Sequence, residues 1–121
     1  MTENYKYYDG FEGEPEYIFC LYSGNCLTEK IHIWDGYFSD LINKTEPTEN
    51  GWTSLAEYYQ LCIEFDNDNW KVPDNPTALQ QLKNVDTSKI RFPKSHEVLK
   101  ILIDAFTTAC ENNLTVYIEY C

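Results

Sequence analysis

The fold is decided by residues 16–34, which read Glu16-Tyr17-Ile18-Phe19-Cys20-Leu21-Tyr22-Ser23-Gly24-Asn25-Cys26-Leu27-Thr28-Glu29-Lys30-Ile31-His32-Ile33-Trp34. Residues 16–21 form an aromatic and aliphatic run with strand character, and residues 27–34 form a second run with Ile31 and Ile33 on one face. The Ser-Gly-Asn segment between the runs is typical of a turn. The sequence therefore predicts a β-hairpin, which the Asp35-Gly36 pair ends.

Helical signals follow the hairpin. Residues 37–42 predict a short helix, and residues 77–83 predict one or two further turns. Ser54 and Glu57 have the spacing of a capping box, in which two side chains satisfy free amides at a helix start. A helix beginning there fades at residues 66–69, and one of its faces carries Leu55, Tyr58, Tyr59 and Cys62.

The clearest helical pattern follows Pro93, where Ser95 is expected to be the N-cap. One face of this helix carries Val98, Leu102, Ala105 and Ala109, with Ile101 and Phe106 beside them. Asn112-Asn113 suits its C-terminus, because asparagine tolerates the left-handed conformation on which helices often end. Residues 114–120 then read as a β-branched and aromatic strand, which we expect to dock beside the hairpin.

Together these elements predict an α+β fold. A small, mainly antiparallel sheet, made of the N-terminal hairpin and the C-terminal strand, is expected to pack against amphipathic helices. The length suits one hydrophobic core, so residues 1–121 are expected to form a single domain. Residues 1–14 are expected to be a partly ordered lead-in, and residues 95–120 are expected to build the core.

The compartment can be inferred from the N-terminus and the cysteines. The first residues lack the basic and apolar regions of a signal peptide, and no stretch approaches the roughly 18 apolar residues of a membrane span. We therefore expect a cytoplasmic protein without a membrane role. The five cysteines are odd in number, and reduced thiols are expected. Cys20 and Cys26 flank the hairpin turn, and the sequence leaves open whether they pair.

Acidic residues dominate the first part of the chain. The protein has 20 Asp and Glu against 9 Lys and Arg, a net charge of -11. Residues 1–68 hold 14 of the acidic residues and three of the lysines, so the whole excess lies there. Eight of the ten tyrosines and two of the three tryptophans lie in the same part. This negative charge argues against direct nucleic-acid binding and favours a basic protein partner.

The residues that could carry chemistry form no catalytic pattern. His32 is expected on the solvent side of its strand, and His96 falls in the first turn of a predicted helix. Asp66 and Asp68 resemble the start of a calcium loop, but the rest of that pattern is missing. The sequence therefore predicts a protein that is not an enzyme and that uses neither a cofactor nor a metal.

One local pattern resembles a known group of proteins. Residues 31–38, Ile31-His32-Ile33-Trp34-Asp35-Gly36-Tyr37-Phe38, look like the Ile-Trp-x-Gly strand end of some bacterial toxin-immunity families. In size, acidity and α+β pattern, the chain resembles the small cytoplasmic immunity proteins paired with contact-dependent growth inhibition or polymorphic toxins. The resemblance implies that the protein, a monomer when free, binds one cognate toxin domain, often a basic nuclease, and blocks it.

Acidic residues interleaved with aromatic ones suit such a surface, because carboxylates steer association and rigid aromatic rings supply contact area. We expect the partner to contact Glu12, Glu14, Glu16, Trp34, Asp35, Tyr37, Asp40, Trp52, Glu57, Asp66 and Asp68. Two alternatives stay open. The protein could be a DNA mimic that regulates a nucleic-acid-binding protein, or a small carboxylate-dependent hydrolase.

Overall fold

Five strands and four α-helices make up the described part of the chain. A computed structural model describes residues 1–42, 54–65 and 69–121. Within residues 54–65, it describes side chains only up to Tyr59. The strands are β1 (Thr2–Tyr7), β2 (Glu16–Ser23), β3 (Cys26–Trp34), β4 (Trp70–Lys71) and β5 (Thr115–Tyr120). The helices are α1 (Asp35–Ile42), α2 (Ser54–Phe65), α3 (Asn75–Lys83) and α4 (Pro93–Asn112), with a 3-10 turn at Thr87–Lys89.

The strands form one sheet in the order β1-β3-β2-β5-β4. The predicted hairpin is β2 and β3, and β5 lies antiparallel beside β2 as expected. Strand β4 adds to β5 in the antiparallel sense, whereas β1 runs parallel to β3. The prediction of an α+β fold with a small, mainly antiparallel sheet is therefore confirmed.

The two faces of the sheet differ in what covers them. Alternate side chains of β2, β3 and β5 point toward the helices and are buried, namely Tyr17, Phe19, Leu21, Ile31, Ile33, Val116 and Ile118. Tyr17 packs against Phe38 of α1 and Tyr58 of α2, and Phe19 packs against Phe106 of α4. The core therefore draws on the hairpin as well as on residues 95–120. The intervening positions form what we term the open face, which carries Ile18, Cys20, Lys30, His32, Tyr117 and Glu119.

The expectation that residues 1–14 form a partly ordered lead-in was wrong for residues 2–7. Residues 2–7 form strand β1, whose last residue, Tyr7, is 4% exposed and belongs to the core. Most of the other side chains of β1 are exposed, so the strand lacks the apolar alternation that would reveal it in the sequence. It forms because β3, more than twenty residues later, offers an edge to pair with.

Both predicted helix caps are replaced by other contacts. The buried hydroxyl of Ser54 has no hydrogen-bond partner within the described residues, and the Leu55 amide donates instead to the Gln81 side chain, 2.9 Å away. Helix α4 begins directly at Pro93 with Phe92 as its N-cap, which leaves Ser95 inside the first turn. The predicted end of α4 is confirmed, because Asn113 adopts the left-handed conformation with φ of 53°.

The hairpin register separates the two cysteines that flank the turn. Cys20 lies opposite Lys30 and is buried, whereas Cys26 lies opposite Ser23 and is exposed. Cys20, Cys26, Cys110 and Cys121 are the four described cysteines, and each is a free thiol. In the described ranges, no helix has both the length and the apolar character needed to cross a bilayer.

Candidate functional site

The connection between β1 and β2, residues 8–15, is here termed the acidic loop. Its backbone turns twice, with the amides of Phe11 and Glu14 donating to the carbonyl oxygens of Tyr8 and Phe11 over 3.0 and 2.9 Å. The Tyr8 hydroxyl closes the loop by donating to the Glu14 carbonyl oxygen at 2.7 Å. Gly10 and Gly13 both have φ of 93°, a conformation that glycine adopts without strain. These bonds hold the loop in one shape.

Four aromatic rings anchor the acidic loop and form what we term the aromatic cluster: Phe11, Trp34, Tyr37 and Phe92. The Phe11 ring stacks on Trp34 with centroids 4.0 Å apart and planes 6° apart. Tyr37 and Phe92 meet the Trp34 ring edge-on at 5.1 and 5.6 Å. A Cβ at Gly36 would come within 2.3 Å of the Trp34 ring, so only glycine allows the ring to lie there.

Exposed carboxylates border the aromatic cluster. Glu14 accepts a hydrogen bond from the Trp34 indole N–H at 3.3 Å, and Glu12 accepts one from the Gly10 amide at 3.1 Å. Burial raises the pKa of half-buried Asp35, an effect that a hydrogen bond from Tyr17 opposes and the charge of Glu14 reinforces. The surface therefore offers negative charge next to apolar area.

A carboxylate from α4 completes this border. Burial and the nearby charge of Glu97 both raise the pKa of Tyr37. Glu97 also accepts a hydrogen bond from Lys6 at 3.3 Å, which joins the start of α4 to the end of β1. Glu97 lies outside the acid-rich part of the sequence, so charge counting did not single it out.

The structure thus brings together five of the residues expected to contact a partner: Glu12, Glu14, Trp34, Asp35 and Tyr37. Of these, Tyr37 is only 7% exposed and belongs to the core, so the expectation that it contacts a partner was wrong. Glu57 is exposed on α2, a separate element. Trp52, Asp66 and Asp68 lie outside the described residues, and so does the comparison of residues 66–68 with a calcium loop. Phe11 and Phe92 were missed, although the Phe92-Pro93 pair marks the start of a helix.

Asp40 lies in the interior of the protein. Its side chain is 5% exposed and accepts hydrogen bonds from the backbone amides of Arg91 and Phe92 at 3.0 to 3.1 Å. These amides precede α4, so a carboxylate of α1 caps the start of another helix. Asp40 therefore contributes to packing within the chain and is absent from the surface.

His32 lies on the open face, as the strand alternation predicts, but it is not exposed to solvent. Its ring is covered by Tyr5, which stacks on it with centroids 4.1 Å apart, and the residue is 7% exposed. The ring nitrogens Nδ1 and Nε2 lie 2.5 Å from Glu16 Oε1 and 2.7 Å from Glu3 Oε2. The expectation of a solvent-facing His32 was wrong because β1 supplies its cover.

Hydrogen bonds extend this group of side chains. The Tyr5 hydroxyl donates to Glu3 Oε2 at 2.7 Å. Hydrogen bonds from Tyr5 and His32 lower the pKa of Glu3, so Glu3 stays ionised in mildly acidic solution. Glu16, which was expected to contact a partner, instead holds His32 with a side chain that is 13% exposed.

Two shallow cavities lie at the β4 side of the sheet. One, of about 400 Å³, is lined by Tyr22, Gly24, Asn25, Asn69, Lys71, Thr115 and Tyr117. The other, of about 510 Å³, is lined by Asn69, Glu119, Tyr120 and Cys121. Among the residues that the structure describes, neither lining contains two carboxylates.

Comparison with known proteins adds no relative. The chain matches no family model, no curated protein and no solved structure. Its function therefore has to be inferred from its own residues.

Proposed function

We propose that this protein is an immunity protein, which neutralises a cognate toxin domain of basic, nuclease type by binding it stoichiometrically in the cytoplasm. The observation that carries the proposal is the acidic loop, on which Glu12 and Glu14 are exposed beside the stacked rings of Phe11 and Trp34. The net charge of -11, all of it in residues 1–68, adds to the negative charge of this loop.

The negative charge of this surface and the fixed shape of the acidic loop both favour association with a basic toxin. A nuclease must bind phosphates, so its active-site cleft presents Lys and Arg side chains that a negative surface attracts. A guanidinium can pair with a carboxylate and also pack against an aromatic ring, and this surface offers both. Because hydrogen bonds and ring stacking already fix the loop, little conformational freedom is lost on binding.

The same geometry favours a toxin inhibitor over a DNA mimic. Imitating a phosphate backbone requires free carboxylates spread along an extended face. Asp40 is buried under backbone amides and Glu16 is bound to His32, so two of the expected carboxylates are not free for such a role. A phosphate backbone has no counterpart to the aromatic cluster beside Glu12 and Glu14, so this part of the surface does not imitate nucleic acid, whereas aromatic side chains are common at the centre of protein–protein interfaces.

The test uses the protein encoded by the gene immediately upstream, since immunity genes normally follow their toxins. The two proteins are co-expressed and purified, and association is measured at several salt concentrations. The double variant Glu12→Gln/Glu14→Gln is compared with Asp104→Asn/Glu111→Gln, which removes two exposed carboxylates from α4. Both pairs change the net charge equally, so any difference reports the position of the carboxylates.

We expect the wild type to form a complex and protect cells, with an association rate that falls steeply as salt is added. The loop variant should associate several-fold more slowly than the α4 variant. Absence of both a complex and protection would refute the proposal. Equal association rates of the two double variants would instead show that the acidic loop lies outside the interface.

A further inference from the structure

One histidine joins the two strands that flank the acidic loop. The loop leaves β1 after Tyr7 and enters β2 at Glu16, so its two ends belong to different strands. Strand β3 lies between them and carries His32. Glu3 of β1 contacts one nitrogen of the His32 ring and Glu16 of β2 contacts the other, at 2.7 and 2.5 Å. A single side chain thus ties the strand before the loop to the strand after it.

With Glu3 and Glu16 ionised, both contacts require protons on the ring. A carboxylate only accepts hydrogen bonds, and a neutral imidazole has one N–H to donate. His32 can therefore donate to Glu3 and Glu16 together only as an imidazolium. If the ring loses one proton, a nitrogen lone pair faces a carboxylate oxygen, and the buried position under Tyr5 limits replacement by water.

The charged groups around the ring come from four strands. Strand β1 contributes Glu3 and Tyr5, and β2 contributes Glu16. Lys30 lies two residues before His32 on β3, where its charge acts on Glu3. On the β5 side, the Cys121 thiol lies close enough to interact with Glu119 and with Glu16. The negative groups outnumber Lys30, which makes the cluster dependent on a positive charge at His32.

We propose that His32, as an imidazolium, is a positioning residue for the acidic loop, and that loss of its ring proton loosens the loop and weakens the binding of a basic partner. The loop-holding role belongs to the free protein. Only the effect on binding rests on the proposed function.

The first experiment follows the wild-type protein by NMR from about pH 5 to about pH 8, the range in which histidines change charge. The ring carbon shifts of His32 and His96 are recorded together with the amide shifts of residues 8–14. We expect the loop amides to change with the midpoint of His32 and not with that of His96, which is exposed on α4. Loop amides that stay unchanged while His32 loses its proton would overturn the proposal.

The second experiment compares His32→Gln with His96→Gln, the matched control. Hydrogen exchange at residues 8–14 is expected to become about tenfold faster in His32→Gln, because a charge-assisted contact is lost, and to stay unchanged in His96→Gln. The His32 variant should also lose the pH response of the loop. Equal exchange in both variants would contradict the inference. If His32→Gln does not fold, the wild-type titration decides the question.

Measurements of toxin binding distinguish the proposed function from the proposed role of His32. With the upstream-encoded toxin, His32→Gln is expected to bind several-fold more weakly than wild type, and His96→Gln is expected to bind as wild type does. If the wild-type protein binds no toxin, the proposed function fails, while loop exchange still tests the role of His32. If toxin binds both variants equally, the proposed control of binding by His32 is wrong.

Discussion

Replacing Asp40 tests whether a buried carboxylate joins α1 to α4. Its oxygens accept two backbone amides, those of Arg91 and Phe92, at 3.0 to 3.1 Å. A hydrogen bond to a charged group contributes about 1.5 kcal/mol or more, and a buried donor left unsatisfied costs a similar amount. We therefore expect Asp40→Ala to lower the free energy of unfolding by about 3 kcal/mol. That is a large fraction of the roughly 5 to 15 kcal/mol that stabilises a domain.

The isosteric change separates charge from hydrogen bonding. An asparagine side chain is close in shape to that of Asp40, and Asp40→Asn retains one carbonyl oxygen at the position of Oδ2, which accepts both amides. We expect this variant to lose only about 1 to 1.5 kcal/mol, because the acceptor remains while its charge is gone. Since Asp40 is buried, the folded Asp40→Asn protein should bind a toxin as wild type does.

The assay is urea unfolding followed by circular dichroism, with the slope m compared across variants to confirm that the same surface is exposed. Asp104→Ala is the control, because it removes an exposed carboxylate of α4 and should change stability by less than about 0.5 kcal/mol. If Asp40→Ala is no less stable than Asp104→Ala, the capping role is refuted. If Asp40→Asn lowers the free energy of unfolding as much as Asp40→Ala does, the stabilisation comes from the charge of the carboxylate and not from the position of its oxygen atoms.

Three further variants or reactions test individual contacts. Gly36→Ala should destabilise the protein by about 1 to 2 kcal/mol in urea unfolding and change its tryptophan fluorescence, because the added Cβ displaces the Trp34 ring. Burial raises the pKa of the Cys20 thiol to about 11. After alkylation near pH 8, mass spectrometry should therefore find Cys26 modified and Cys20 unmodified. A rapid reaction at Cys20 would show that the open face is accessible. In urea unfolding, Asn113→Ala should cost about 1 kcal/mol, because alanine tolerates the left-handed backbone less well than asparagine does, and Asn113→Gly should cost nothing, because glycine adopts it without strain.

The hairpin and α4 could be predicted because their signals are local. The Ser23-Gly24-Asn25 turn sits between two strand-like runs, and apolar residues recur along α4 at helical spacing. The end of α4 at Asn113 follows from a conformational preference of one residue type. Each of these inferences needs only residues that are neighbours in the chain.

The parts that could not be predicted depend on contacts between distant residues. Asp40 is buried because amides 51 and 52 positions later need an acceptor, and nothing near Asp40 in the sequence indicates this. The environment of His32 depends in the same way on Glu3, 29 positions earlier. The candidate site was predicted in part, since Trp34, Asp35 and Tyr37 lie within four consecutive residues, whereas the contacts of Trp34 with Phe11 and Phe92 arise only in the folded chain.

The position of β5 beside the central strand β2 has a consequence for how the protein is made. Tyr17 pairs with Tyr120. The inner strand β2 therefore lacks this partner until about one hundred more residues have been synthesised. Until then its edge is unpaired, and the apolar side chains of Phe19 and Leu21 lack their neighbours from β5. We therefore expect nascent chains that stop before residue 115 to aggregate or to require a chaperone, and folding to be limited by the slow closure of this long connection.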